Sequence, residues 1–318
     1  HARNIDIENS DAADDELIIN NKAIQRLSIE TNADNNKPFK LINVANSSLH
    51  KLYVVETSME QRTLKKVILN ENIDTLTIGG YISRGDVPQQ SVELVGLSRL
   101  NRLKRLSYNP DFSPIATKDL PKNIEGLYIG GSGNVPYKDG DSFDYSHLSK
   151  LKIYSNGKFI SANMKLSTAI DSIYLFPSQV FGDLKELDFS SLKFTKADIY
   201  IGWLTRNDVE LPILKRFVFP ATLKQLKLSN AQSEVLDLSR CTHLKDLYVD
   251  DSRTGERAIK KLILPKNLKK SDFKRQHKSE FENDYAFKLA DISNETVIEN
   301  LPSWVENDGN GTYSVPND

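Results

Sequence analysis

Cysteine is almost missing from this sequence. Cys241 stands alone among 318 residues, which excludes an internal disulfide and any zinc cluster built from cysteines. A single cysteine fits a cytoplasm, and equally a bacterial exterior where cysteine is avoided. An excess of charge is missing too: 42 Lys and Arg stand against 43 Asp and Glu, a formal net charge of -1. No global field therefore draws the chain to nucleic acid or an anionic membrane, and any electrostatic partner has to be read locally. No run approaches the roughly 18 apolar residues of a membrane-spanning helix. Residues His1 to Glu16 lack the basic-then-apolar profile of an export segment and are acidic instead, so a removed signal is neither shown nor excluded.

One spacing is abundant. The pattern apolar, two residues, apolar, one residue, apolar recurs at Leu214/Phe217/Phe219, Leu223/Leu226/Leu228, Leu244/Leu247/Val249 and Ile259/Leu262/Leu264, with Leu236/Leu238 as a partial copy. Looser copies run before it, among them Ile24/Leu27/Ile29, Leu49/Leu52/Val54, Ile73/Leu76/Ile78, Leu103/Leu106/Tyr108, Ile124/Leu127/Ile129 and Ile170/Ile173/Leu175. Side chains two apart on a strand share a face, so the last two apolar residues of each unit point inward together. One unit cannot bury that face alone, whereas stacked neighbours close a continuous core. The short gaps between units predict about two strands per coil, one on each side of a flattened solenoid.

These units predict a β-rich solenoid over 22–275, preceded by a polar lead-in over 1–21 and followed by a cap or the start of a further module over 276–318. Within the lead-in, Leu17-Ile18-Ile19 is the first possible strand. Long gaps at Ile82–Leu100, Asn109–Lys122 and Ser132–His147 read as loops on one edge, or as short helices such as Val92–Arg102. Gly79-Gly80 and Gly130-Gly131-Ser132-Gly133 read as turns, because no Gly-Lys-Ser/Thr or helix follows as a phosphate loop requires. The end, from Trp304 through Asp308-Gly309-Asn310-Gly311 to Val315, reads as a hairpin.

The segments Leu236–Val249, Leu262–Leu268 and Phe217–Leu223, with their strand-then-proline signature and a cysteine three residues ahead of a strand, resemble leucine-rich repeats of the BspA-like bacterial surface class. The resemblance runs over about Ile24–Phe273 and is strongest after Leu214. It implies a leucine-rich repeat fold, a role for Cys241 packed inside a coil, and an exported, surface-attached or secreted protein engaged in adhesion or protein binding. A non-enzymatic module that recognises a protein or glycan through an exposed sheet and edge loops is the reading adopted. An intracellular scaffold or secreted effector of the same fold is the alternative.

Five tyrosines, Tyr53, Tyr128, Tyr174, Tyr200 and Tyr248, occupy outward strand positions and are the candidate ligand-binding residues. Aromatic rings on an exposed sheet suit glycan stacking or a protein hot spot, although tyrosine also favours strands for its own sake. The basic run Arg257, Lys260, Lys261, Lys266, Lys269, Lys270, Lys274, Arg275 and Lys278 reads as a solvated face balanced by neighbouring acids. His50, His147 and His243 each lie beside the first apolar residue of a unit and recur by repeat position rather than as a metal site. Ser155-Asn156-Gly157-Lys158 matches Ser-x-x-Lys without the companion motifs of acyl enzymes. The Asp308–Thr312 turn lacks the alternating ligands of a calcium loop. With no acid/base or nucleophile constellation, no catalytic residue, cofactor or metal is expected. The expected partner is a protein or glycan met by a monomer, with no nucleic acid.

Overall fold

The computed structural model describes residues 3–8, 15–32, 39–58, 62–82, 91–130, 143–201, 213–231, 233–251, 259–273 and 287–315. They fall into two compact units, His1–Lys158 with Asn163–Ser167, and Phe159–Ala162 with Thr168–Asp318.

The first unit holds β1 (Asn4–Glu8), β2 (Glu16–Ile18), β3 (Arg26–Asn32), β4 (Leu41–Asn43), β5 (Lys51–Ser58), β6 (Lys66–Ile68), β7 (Thr75–Ile82), β8 (Glu93–Val95), β9 (Arg105–Tyr108), β10 (Gly126–Ile129) and β11 (Ile153–Asn156). Strands β1, β3, β5, β7, β9, β10 and β11 lie side by side and parallel, while β2, β4, β6 and β8 form a second parallel sheet. The chain thus crosses from one sheet to the other and back, which gives parallel neighbours the long connection they need. Two strands per coil holds as far as β8. After it, 109–125 contributes no strand to the second sheet.

Register explains the spacing that runs through the sequence. Leu27, Leu52, Leu76, Leu106, Leu127 and Tyr154 align across the larger sheet, and all six are fully buried. A second inward row, Ile29, Val54, Ile78, Tyr108, Ile129 and Asn156, lies two residues on. Ile42 and Val67 face them from the smaller sheet's aligned strands and are likewise buried. Each large apolar side chain so buried contributes on the order of 1.5–3 kcal/mol.

The second unit repeats the plan with β12 (Phe159–Ser161), β13 (Ser172–Leu175), β14 (Gln179–Phe181), β15 (Glu186–Asp188), β16 (Lys196–Tyr200), β17 (Leu214–Val218), β18 (Gln225–Ser229), β19 (Ser233–Asp237), β20 (Asp246–Asp250), β21 (Lys261–Ile263), β22 (Phe287–Ala290), β23 (Val297–Glu299), β24 (Glu306–Asn307) and β25 (Tyr313–Ser314). Strands β13, β16, β18, β20 and β22 are parallel neighbours, and β15, β17, β19, β21 and β23 form the facing sheet. Phe189, Phe217 and Phe219 cluster inside it, with Phe217 and Phe219 stacked at 4.6 Å. Cys241 is fully buried beside the Pro220 carbonyl at 3.5 Å, and burial pushes its thiol up to about 12.

Several expectations are corrected. The polar lead-in over 1–21 supplies β1 in addition to β2, which overlaps the strand expected at Leu17-Ile18-Ile19; pairing with β3 and β4 satisfies their backbone groups despite acidic side chains. Instead of a helix over Val92–Arg102 there is β8 followed by a single 3-10 turn at Leu97–Arg99, because β8 completes the ladder offered by β6. The array does not stop at 275: β22 and β23 add a strand to each sheet. The end forms the expected hairpin, β24 with β25, antiparallel and laid along β22. Gly79 and Gly80 are not a turn but lie inside β7. A Cβ on Gly80 would sit 2.1 Å from the Glu56 carbonyl oxygen and 2.7 Å from the Phe112 ring, so the position needs glycine for close approach rather than for a bend. Residues 131–142, which hold most of the expected loop Ser132–His147 and the end of the second glycine run, lie outside the described residues.

Candidate binding face and the charges at its rim

Between the two inward rows of each sheet lies an outward row. In the first unit it reads Ser28, Tyr53, Thr77, Ser107, Tyr128 and Ser155 on successive strands. Every one of these side chains carries a hydroxyl, and each is half-buried. Tyr53 and Tyr128 are separated by two short side chains, Thr77 and Ser107, so the two rings bound a shallow trough about 14 Å across at the usual strand spacing. In the second unit the aligned row is Tyr174, Asp198, Lys227 and Tyr248. The tyrosine spacing is the same, but the floor is an Asp198–Lys227 ion pair at 3.9 Å. Burial raises the Asp198 carboxyl above the usual range, against the pull of Lys227 and Lys196. Tyr200 lies one pleat further on, aligned with Ser229.

The five tyrosines therefore do not form one continuous stripe, since in each unit two strands stand between the aligned pair. Three of the rings are instead backed by cations. Arg26 lies 5.2 Å from the Tyr53 ring centre, Arg105 5.8 Å from Tyr128 and Lys196 5.8 Å from Tyr174. In each case the cation is aligned with the residue two before the tyrosine on the adjacent strand, a diagonal that long side chains reach. Gly126 lies two residues before Tyr128, and a Cβ there would come within 3.1 Å of the ring, so the ring rests over bare backbone. The Tyr248 hydroxyl meets the Asp250 carboxylate at 3.3 Å. Each such cation contact is worth about 0.5–1 kcal/mol at an exposed site and holds the ring in one orientation.

At the C-terminal ends of the first unit's strands the inward rows turn polar. Glu56 continues the row of Leu52 and Val54 and is buried; its carboxylate accepts the Thr63 N–H at 2.5 Å and the Leu64 N–H at 3.0 Å. Burial raises its carboxyl above the usual range, opposed by those two donors and by Arg62. Arg62 donates to the Asp111 carbonyl at 2.9 Å and lies 4.5 Å from the Phe112 ring centre. Lys158, which continues Tyr154 and Asn156, is fully buried with its Nζ 3.0 Å from Asp111 Oδ2. Burial draws the Lys158 ammonium down and pushes the Asp111 carboxyl up, each opposed by the other's charge. The chain Glu56, Arg62, Asp111, Lys158 ties the loop after β5 to the turn after β9 and the end of β11. Its charges are spent on one another and on backbone groups. Ser155 faces outward and Lys158 inward, so the Ser-x-x-Lys match places its two members on opposite faces.

Of these four charges the sequence singled out Lys158 alone, and for the Ser-x-x-Lys match, because each sits outside the apolar spacing. The signal was the alternation itself: Leu52, Val54, Glu56 and Tyr154, Asn156, Lys158 keep strict period two into a charged residue. The other motifs resolve locally. Lys260 pairs with Glu234 at 3.2 Å and Lys261 with Glu299 at 2.6 Å, acids on neighbouring strands of the same sheet or next to them, while Arg257, Lys274, Arg275 and Lys278 lie outside the described residues. His50 faces Asp74 at 3.6 Å. Asp308 accepts the Asn310 and Thr312 N–H groups, and these bonds hold its carboxyl below the usual range. Among the described residues no three His, Cys, Asp or Glu side chains gather as a metal site. Compared with protein-family profiles, with curated proteins and with solved structures, the chain matches none of them.

Proposed function

We propose that this chain is a non-enzymatic binding module of the leucine-rich repeat kind, displayed on or secreted from a bacterial cell, that recognises a protein or glycan on the outward face of the first unit's larger sheet. The observation that carries the reading is the pair Tyr53 and Tyr128. Two rings stand on either side of a low, uncharged floor, each held by an arginine, on strands rather than loops. Rings whose orientation is fixed before binding lose little entropy when a ligand arrives. The floor of Thr77 and Ser107 offers hydroxyls that donate and accept, which suits sugar hydroxyls and peptide groups alike. The corresponding pair in the second unit encloses an ion pair whose desolvation opposes binding, so the first unit is the favoured face.

The test is an array of glycans and of extracellular proteins probed with the wild type, with Y53A/Y128A and with Y174A/Y248A. Loss of the hits in Y53A/Y128A at unchanged melting temperature, with Y174A/Y248A still binding, supports the reading. Hits that survive Y53A/Y128A remove the site.

A further inference from the structure

A cleft of about 880 Å³ opens in the first unit between the 3-10 turn at Thr117–Asp119 and the segment 143–147. Its volume falls within the range typical of small-molecule sites. The floor is apolar, with Ile115 and Phe143 almost wholly buried beneath it. Lys118 and Lys122 stand on the rim, both exposed, and among the described residues neither ammonium is engaged by an acid. His147 also lines the cleft, and its Nε2 is shielded from solvent without a hydrogen-bond partner among the described residues.

The acid in the cleft wall, Asp144, does not answer those cations. Its carboxylate accepts the Ser146 N–H at 2.9 Å and the Ser146 hydroxyl at 2.5 Å, and its second oxygen lies 3.7 Å from Lys165. The Ser146 bonds hold it ionised and locally satisfied. What remains is an apolar floor, two ammonium groups that no described acid engages, and an imidazole nitrogen whose burial without a partner among the described residues carries a free-energy cost. A small turn of the ring toward an anion in the cleft removes that cost.

We propose that this cleft binds a small amphiphilic carboxylate, its apolar body on the exposed Pro114 and Ala116 above Ile115 and Phe143 and its carboxylate held by Lys118, Lys122 and His147. A neutral alcohol of the same length leaves both ammonium groups unmatched, and an alkylammonium is repelled. This site is separate from the sheet face and does not depend on it.

The experiment titrates isotope-labelled protein with decanoate, followed by amide resonance shifts and by calorimetry, with 1-decanol and decylammonium as controls. Decanoate is expected to saturate, with shifts centred on Ile115, Thr117 and His147. In K118A/K122A the affinity is expected to fall about tenfold, the sum expected for two partly exposed charge contacts. H147F, which keeps the ring and removes the nitrogen, is expected to weaken binding without lowering the melting temperature. Absence of saturable binding, shifts centred elsewhere, equal affinity for 1-decanol, or undiminished affinity in K118A/K122A each overturns the proposal. Both lysines are exposed and pair with no acid among the described residues, so the double variant is expected to melt with the wild type.

Discussion

The Asp251 carboxylate receives the Ile259 N–H at 2.6 Å, reaching from the end of one strand to the first inward residue of the next. Glu56 does the same for Leu64 at 3.0 Å, so the device recurs in both units. Both acids follow the same local sequence, Leu52-Tyr53-Val54 and Leu247-Tyr248-Val249, two residues past the second inward position. A connection entering the core has to satisfy its backbone N–H groups there, and an inward carboxylate supplies the acceptor. Burial raises the Glu56 carboxyl, so above about pH 4.3 the folded state holds more protons at this site than the unfolded state. Stability attributable to Glu56 therefore falls as pH rises through its raised value. In denaturant titrations the advantage of wild type over E56Q is expected to shrink as pH rises above about 4.3 and to level off beyond the raised value; an advantage that grows with pH contradicts the assignment.

The pair Lys158 and Asp111 lies at the same end of the unit, with both shifts directed toward the neutral forms. Removing one partner leaves the other charge buried and uncompensated, which costs about 3–5 kcal/mol. Replacing both with apolar groups of similar volume removes both desolvation penalties. K158M and D111L are each expected to lower the unfolding free energy by several kcal/mol, with K158M/D111L recovering most of the loss. A double variant whose loss equals the sum of the two singles shows the groups do not interact.

How much of this was legible depended on whether a residue followed the apolar spacing. Leu27, Leu52, Leu76 and Leu106 announce themselves, and the inward rows they build are those the spacing predicts. Strand β2 was legible at Leu17-Ile18, whereas β1 was not, because Asp6 and Glu8 mask a short ladder that exists only through pairing with β3. Gly79-Gly80 misled because glycine marks a turn more often than a close approach, and what crowds Gly80, the Glu56 carbonyl and Phe112, comes from 24 or more residues away in the sequence. The tyrosines were found by position, but their separation by two strands was not, since register across irregular coil lengths of 21 to 30 residues is set by the ladder alone.

That contrast between the two glycines gives its own measurement. A Cβ on Gly79 meets the Asn109 Cβ at 3.4 Å, an ordinary contact, whereas one on Gly80 collides with backbone at 2.1 Å. G79A is expected to change stability by less than about 1 kcal/mol, the direction favoured by a less flexible unfolded chain. G80A forces β5 and β7 apart and is expected to cost about 1–3 kcal/mol or more. Equal melting temperatures for the two variants contradict the close approach.

Cys241 offers a probe of the second unit's opening. It is fully buried, and burial, with a smaller contribution from Asp237, pushes its thiol up to about 12. At neutral pH the population of thiolate, the reactive form, is therefore vanishingly small in the folded chain. Ellman's reagent is expected to leave native protein unmodified over a time in which denatured protein reacts completely. Under rising denaturant the labelling rate then follows the opening that exposes Cys241, and its free energy reports whether the β18–β20 region opens locally or with the whole unit. Rapid labelling without denaturant contradicts the buried placement. C241A leaves a cavity of a single sulfur atom and is expected to cost about 1 kcal/mol, with the labelling signal abolished because no other cysteine exists in the chain.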